Sequence, residues 1–327
     1  MRSAPLQLAG MAADWIDRHG PPDAILCTDM LDLPQWKGLL RDPAMTRVPT
    51  MIYFHENQFS YPQSPHARQD FHFGYTNLIS ATASDACVFN SDYHRRDFLK
   101  AAESFVARMP DAKACHDFTA LREKTQVISP GFDPPNSVPG DAKIETSGER
   151  QLRIGWVSRW EHDKRPDRFV QLCQRLRSRD VPFRLVLLGN RPRRTCPSLT
   201  TLRRDFADSI EHDGFAASRQ AYWRHLRSLD VVVSTADHEF FGMAICEAVW
   251  AGAVPVLPNR LSYPELIPDA CLYEDSDAAA DQIRRLQDAG HRGEVLRRCQ
   301  SQVATRTASL SVKQLDAAIG QMIAKSA

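Results

Sequence analysis

The sequence predicts an α/β protein of two Rossmann-like, doubly wound domains, on three observations. Short apolar runs bounded by turn residues alternate with segments of helical periodicity. The alternation lapses between Pro130 and Glu149, a stretch rich in Pro, Gly, Asp and Ser, and then begins again. The length of 327 residues suits two domains of about 150 residues better than one.

In the first half, Leu6 to Arg18 has apolar residues at helical spacing, closed by Gly20-Pro21-Pro22. Ala24 to Cys27 and Thr50 to Phe54 are short apolar strands. Phe71 to Ser84 is read as a helix and Ala86 to Phe89 as a strand. A helix follows through Leu99, with Ser91 and Asp92 as capping candidates, and Gln126 to Ile128 is a last strand. The second half gives strands at Leu152–Val157, Phe183–Leu188, Val231–Ser234 and Val254–Leu257. Helices are expected at Arg165–Ser178, Ala217–Ser228 and Gly242–Trp250, and from Ala278 onwards. Strands separated by helices imply parallel sheets, which bind ligands beyond the carboxyl ends of their strands. The expected division is 1–135, a linker at 136–150, and 151–327, whose last helices are candidates to pack back on the first domain.

Hydrophobic residues make up 43% and charged residues 25%, as in an ordinary globular protein. The net charge of +1 argues against a protein held to nucleic acid mainly by bulk charge, though a local basic face remains open. The eight cysteines include no C-x-x-C pair, and several lie in apolar runs, so buried free thiols and a reducing, cytoplasmic location are expected. No signal-like h-region is present, and the longest apolar stretch, Met243 to Pro258, is interrupted by Glu247 and Pro255. No membrane partner is expected.

The sharpest chemical signal runs from Ser234 to Ala248. A buried strand enters a polar loop containing Glu239, then Gly242 opens a helix that carries Glu247. A helix N-terminus presents unpaired N–H groups and a positive dipole end to anionic or hydroxyl-rich ligands. The two glutamates lie eight positions apart, so one can hold a sugar and the other a ribose; the bland alternative is a loop acid and a surface acid. The flanking Phe241-Gly242 and the later Ala251-Gly252-Ala253-Val254-Pro255 sharpen the signal.

This segment resembles the E-x7-E signature of retaining glycosyltransferases with the GT-B fold, particularly family 4. The resemblance implies two domains facing a cleft, Glu239 on the donor sugar aided by backbone N–H groups of Phe241, Gly242 and Met243, and Glu247 on the nucleotide ribose. Gly155 to Lys164 resembles the G-R-x-x-x-x-K element, with Ser158 where Gly is usual. Arg159 and Lys164 thereby become phosphate binders, cations that stabilise a departing nucleoside diphosphate. Gly214 and Phe215 match the place where the nucleotide base is met. No D-x-D motif marks a metal-dependent sugar-nucleotide site, so neither metal nor other cofactor is expected.

Tyr53-Phe54-His55-Glu56-Asn57-Gln58-Phe59-Ser60-Tyr61-Pro62 runs an apolar strand straight into polar residues. With Asp70 to Asn77 and Val88 to Ser91, it resembles the tRNA-queuosine mannosyltransferase family and its H-E-N-Q-x-x-Y-P signature. That family implies transfer of mannose from GDP-mannose to queuosine in a tRNA anticodon. By this resemblance His55 and Glu56 are catalytic candidates with Glu239, and Asn57, Gln58 and Tyr61 lie on the acceptor side. The family's upstream strand and Gly-Gly-Ser-His loop have no counterpart here, so the first domain is expected to be shortened at its N-terminus. Arg191 to Arg194, Arg203-Arg204 and Arg292 to Arg298 are candidates for RNA phosphates, and Phe59, Tyr61, Phe71 and Phe73 for base stacking. The competing readings are a family 4 enzyme with a lipid-linked or saccharide acceptor and a non-catalytic sugar-nucleotide or RNA-binding descendant. A dinucleotide oxidoreductase is disfavoured because no G-x-G-x-x-G follows a strand.

Overall fold

The computed structural model describes residues 3–61, 71–110, 116–135, 151–190 and 196–326. The chain divides into two units, Met1–Pro130 with Ser309–Ala327, and Gly131–Ala308. The first contains α1 (Ala4–His19), β1 (Ile25–Thr28), α2 (Leu33–Leu40), α3 (Pro43–Arg47), β2 (Thr50–Phe54), α4 (His72–Ala83), β3 (Ala86–Phe89), α5 (Asp92–Val106), α6 (Phe118–Glu123) and β4 (Thr125–Val127). Its four strands form a parallel sheet in the order β1-β2-β3-β4.

Alternation along β2 and β3 sends side chains to both faces of that sheet. Ile52, Phe54, Cys87 and Phe89 pack with Leu78 and Ala81 of α4 and Phe98 and Ala102 of α5. Met51 and Val88 pack on the other face against Ala318 and Met322 of the C-terminal helix. Ser91 caps α5, its hydroxyl accepting the His94 N–H at 3.1 Å.

The second unit holds β5 (Leu152–Val157), α7 (Pro166–Ser178), β6 (Phe183–Leu188), α8 (Pro197–Asp205), β7 (Ile210–Gly214), α9 (Arg219–Arg227), β8 (Val231–Val233), α10 (Met243–Ala251), β9 (Val254–Pro258), α11 (Tyr263–Leu266), β10 (Leu272–Tyr273), α12 (Ser276–Arg285) and α13 (Ala289–Val303). The last helix, α14 (Ala308–Ser326), crosses to the first unit. Six parallel strands lie in the order β10-β9-β8-β5-β6-β7. Counting β5 as the first, this is the 3-2-1-4-5-6 order, whose reversal between β5 and β8 opens a crevice at their carboxyl ends.

Gly131 to Pro135, grouped by the sequence with the first domain, lie with the second unit. Phe132 donates its N–H to Arg306 O at 3.0 Å and accepts from Ala308 N at 2.8 Å, while its ring meets Trp250 edge-on at 5.6 Å. The linker candidate 136–150 falls outside the described residues. Among the described residues no helix is long and apolar enough to cross a membrane.

Candidate active site

The loops after β5 and β8 meet at the reversal point and are stitched together. Asp237 donates its N–H to Asp163 O at 2.7 Å, and the Thr235 hydroxyl donates to Lys164 O at 2.8 Å. The Asp237 carboxylate pairs with Arg165 at 2.6 Å and with Arg168 and Arg260. Burial would raise the Asp237 pKa, but bonding to Arg165 and Arg168 outweighs it and the net shift is downward. Arg165 sits in the left-handed region at φ 51°, with Pro166 fixing the first residue of α7. The two loops are therefore held in one shape before any ligand arrives.

That shape sets Glu239. Its Oε1 accepts N–H groups from Phe241 at 3.4 Å and Gly242 at 3.1 Å. Its Oε2 faces the Lys164 ammonium at 3.5 Å. Lys164 is buried; its Nζ donates to His238 O at 2.7 Å and lies 3.3 Å from the buried Asp163 carboxylate. Desolvation pulls the Lys164 pKa down, but Glu239 and Asp163 together outweigh it, so the ammonium stays charged. Gly242, at φ 98°, is the left-handed cap of α10, and a Cβ there would come within 3.1 Å of Leu266 Cδ2. Met243 is the first helical residue and is partly exposed.

Glu239 is thus held on both oxygens, by the buried Lys164 ammonium and by the N–H groups of Phe241 and Gly242. Arg159 is half exposed and lies 4.0 Å from Glu161. Gly189 is the first residue after β6, where a Cβ would fall 1.9 Å from Ser158 O, so the backbones at the carboxyl ends of β5 and β6 approach too closely for any side chain.

Glu247 lies within α10 and accepts the Tyr222 hydroxyl at 2.6 Å. Burial raises its pKa, while Tyr222 and the charge of Arg219 oppose the rise. Gly214 is the last residue of β7, and Phe215 after it is 72% exposed. The one literal D-x-D string, Asp275-Ser276-Asp277, is built into the fold: Asp275 caps α12, and Asp277 pairs with Arg175 and Arg179.

In the first unit, His55 is the first residue beyond β2. Its N–H donates to Asp29 Oδ1 at 3.0 Å, and its carbonyl accepts from Asn90 Nδ2 at 2.8 Å. The exposed ring meets Tyr53 edge-on at 4.5 Å. Surrounding protein lowers the His55 pKa against an opposing pull from Glu56, so the imidazole is neutral at pH 7. Glu56, Gln58 and Tyr61 are half-buried.

Asn57 differs from its acceptor-side expectation, being fully buried. Its Oδ1 accepts the Phe59 and Ser60 N–H groups, both at 3.1 Å, and its Nδ2 donates to Asp97 at 2.8 Å. It shapes the turn. Phe59 likewise belongs to the core, against Phe98 and Phe105, and Phe71 packs on Phe105 at 5.2 Å.

Among the RNA candidates, Arg203 forms a two-pronged bond to Asp213 at 2.6 and 3.0 Å. Arg204 pairs with Asp205 and Arg298 with Glu294. Arg292 is buried and donates to Leu286 O at 2.6 Å. Arg191 to Arg194 lie outside the described residues. Sequence reasoning gave no role to Asp29, Asn90, Asp163, Tyr222 or Asp237; the visible signal for four of them was position just after an apolar strand or inside a strand–loop motif, and Tyr222 gave none.

Parallel sheets of this order, with an E-x7-E pair and a buried lysine at the reversal point, define a glycosyltransferase of GT-B fold. Solved structures agree in fold. A trehalose-phosphate synthase of Burkholderia xenovorans superposes with TM-score 0.68 at 15% identity, over 98% of this chain and 79% of its own. A sucrose-phosphate synthase from Thermosynechococcus elongatus gives TM-score 0.68 at 16% identity, over 97% and 78%. Residues 1–132 match the family described as tRNA-queuosine alpha-mannosyltransferase N-terminal, and residues 140–303 match Glycosyl transferases group 1. The tRNA-queuosine alpha-mannosyltransferase of Drosophila melanogaster is 31% identical over 83% of this chain and 72% of its own length. A GDP-mannose-dependent phosphatidylinositol dimannoside mannosyltransferase of Mycobacterium tuberculosis is 24% identical over 81% of this chain and 65% of its own. The chain belongs to the tRNA-queuosine alpha-mannosyltransferase family.

Proposed function

We propose that the protein transfers mannose from GDP-mannose to the queuosine of a tRNA anticodon in the cytoplasm, with retention of the α configuration. The observation that carries this reading is the Glu239–Lys164–Gly242 arrangement at the reversal point, in a chain whose first 132 residues match the queuosine family. Glu239 would hold the sugar hydroxyls, Glu247 the ribose, and Phe215 the base. Arg159, the buried Lys164 and the N-terminus of α10 would together neutralise the departing diphosphate. His55, neutral and exposed, would serve the acceptor hydroxyl, with Glu56, Gln58 and Tyr61 beside it. No carboxylate is assigned as nucleophile; a front-side displacement, in which the departing phosphate takes the acceptor proton, accounts for retention. The proposal includes neither metal nor other cofactor, so a chelator should leave the rate unchanged.

The test is incubation with queuosine-containing tRNA and, separately, GDP-mannose, GDP-glucose, UDP-glucose and UDP-galactose, followed by mass spectrometry of the nucleosides. A hexose adduct on queuosine with GDP-mannose alone is expected. An adduct only with another donor refutes the donor, and transfer to a lipid or saccharide acceptor with none to tRNA refutes the acceptor.

A further inference from the structure

His55 is held from both sides by two side chains, Asp29 and Asn90, to which the sequence motifs gave no role. Asp29 is the first residue past β1 and Asn90 the first past β3, the two strands that flank β2. Each reaches across to the same residue just past the end of β2, Asp29 to the His55 N–H at 3.0 Å and Asn90 to the His55 carbonyl at 2.8 Å. Both are buried, with 3% and 5% exposure. The peptide groups on either side of one histidine are thus fixed by two different side chains.

The cluster extends one layer further. Asn77 of α4 donates to the Asp29 carbonyl at 2.7 Å and accepts the Gln58 N–H at 3.1 Å. Asp29 Oδ2 and Asn90 Oδ1 are nevertheless buried without a hydrogen-bond partner among the described residues. Unsatisfied buried acceptors reduce stability and call for a compensating reason at the site that keeps them. The carboxyl is also pushed up to about 6 by its burial, against the pull of nearby backbone N–H groups.

We infer that Asp29 and Asn90 are positioning residues that clamp the His55 backbone and thereby aim its imidazole for the transfer step. The inference rests on the catalytic placement of His55 proposed above. Neither side chain is assigned contact with substrate; each acts through His55. A displacement of about 1 Å at a reacting group lowers turnover by about 100-fold.

The test compares Asp29→Ala, Asp29→Asn and Asn90→Ala in the full chain by two readouts. In the first, kcat and KM are measured with queuosine-containing tRNA and GDP-mannose. The two alanine variants should lose about 100-fold in kcat with donor KM within about threefold of wild type, and Asp29→Asn, whose amide oxygen still accepts the His55 N–H, should recover most of that loss. In the second, the His55 ring is followed by NMR without substrate, assigned with His55→Gln; its resonance and titration midpoint should move in both alanine variants. Folded alanine variants with unchanged His55 resonances overturn the clamp whatever the activity. Unchanged kcat despite moved resonances overturns its relevance to transfer. A wild-type protein inactive on tRNA refutes the proposed function instead, and the NMR readout still decides the clamp.

Discussion

Replacing Lys164 by Met removes a buried cation while keeping most of the side chain's apolar bulk. The ammonium donates to His238 O at 2.7 Å and lies 3.3 Å from Asp163 and 3.5 Å from Glu239. Asp163 has only 3% of its side chain exposed, so it would be left as a buried carboxylate without its counter-charge. Breaking such a pair from one side costs roughly 3–5 kcal/mol, a large fraction of a stability of about 5–15 kcal/mol. Glu239 would also lose the charge that fixes Oε2, so donor affinity should fall with stability. Urea unfolding at pH 7 and calorimetric titration with GDP-mannose measure the two effects. Adding Asp163→Asn to Lys164→Met should restore about half of the lost stability and none of the donor binding, because the buried charge is gone but Glu239 is still unheld. An unfolding free energy within about 1 kcal/mol of wild type for the single variant, with unchanged GDP-mannose affinity, would refute the reasoning.

Three further outcomes follow from the same geometry. His55→Ala should abolish turnover while GDP affinity changes little, since the residue lies outside the unit that carries Glu239 and Lys164; a fully active variant contradicts its role. Gly189→Ala should destabilise the second unit by about 3 kcal/mol or more, because its Cβ falls 1.9 Å from Ser158 O and 2.9 Å from Trp160 Nε1; thermal melting reads this directly. Asp29, with its carboxyl raised from 3.8 to about 6, binds its proton more tightly in the folded chain than in the unfolded one. Its contribution is therefore fully present below about pH 4 and lost as pH rises through about 6, a change of about 3 kcal/mol. Asp29→Asn should flatten that segment of a urea-midpoint profile, and a variant profile parallel to wild type would contradict it.

Much of this architecture could be read from residue order. The strands of the second unit are near-continuous apolar runs, Val231–Val233 and Val254–Pro258 among them, because a parallel sheet is buried on both faces. β7 escaped notice because its sequence, Ile-Glu-His-Asp-Gly, is polar; as an edge strand it buries little more than Gly214. β10 is two residues long, too short for any periodicity. The helices α2 and α8 were passed over as well, the second flanked by the charged run before it. In the site, the E-x7-E pair and Lys164 stand out as spacing, but the ion pair between Glu239 and Lys164 crosses 75 positions of sequence. Asn57 shows the converse failure: a polar residue inside a distinctive motif is spent on the turn that presents its neighbours. Asp29 carries no motif at all, and only the three-dimensional meeting of β1, β2 and β3 gives it meaning.

In the proposed function the carboxyl ends of β5 and β8 grip the activated donor. A crystal structure of the protein soaked with GDP tests this most directly. The ribose should lie on Glu247, the guanine against Phe215, and the diphosphate between Arg159 and the N-terminus of α10, with the Lys164–Glu239 pair intact beneath it. Nucleotide density elsewhere, with that crevice filled only by solvent at saturating GDP, would contradict the account.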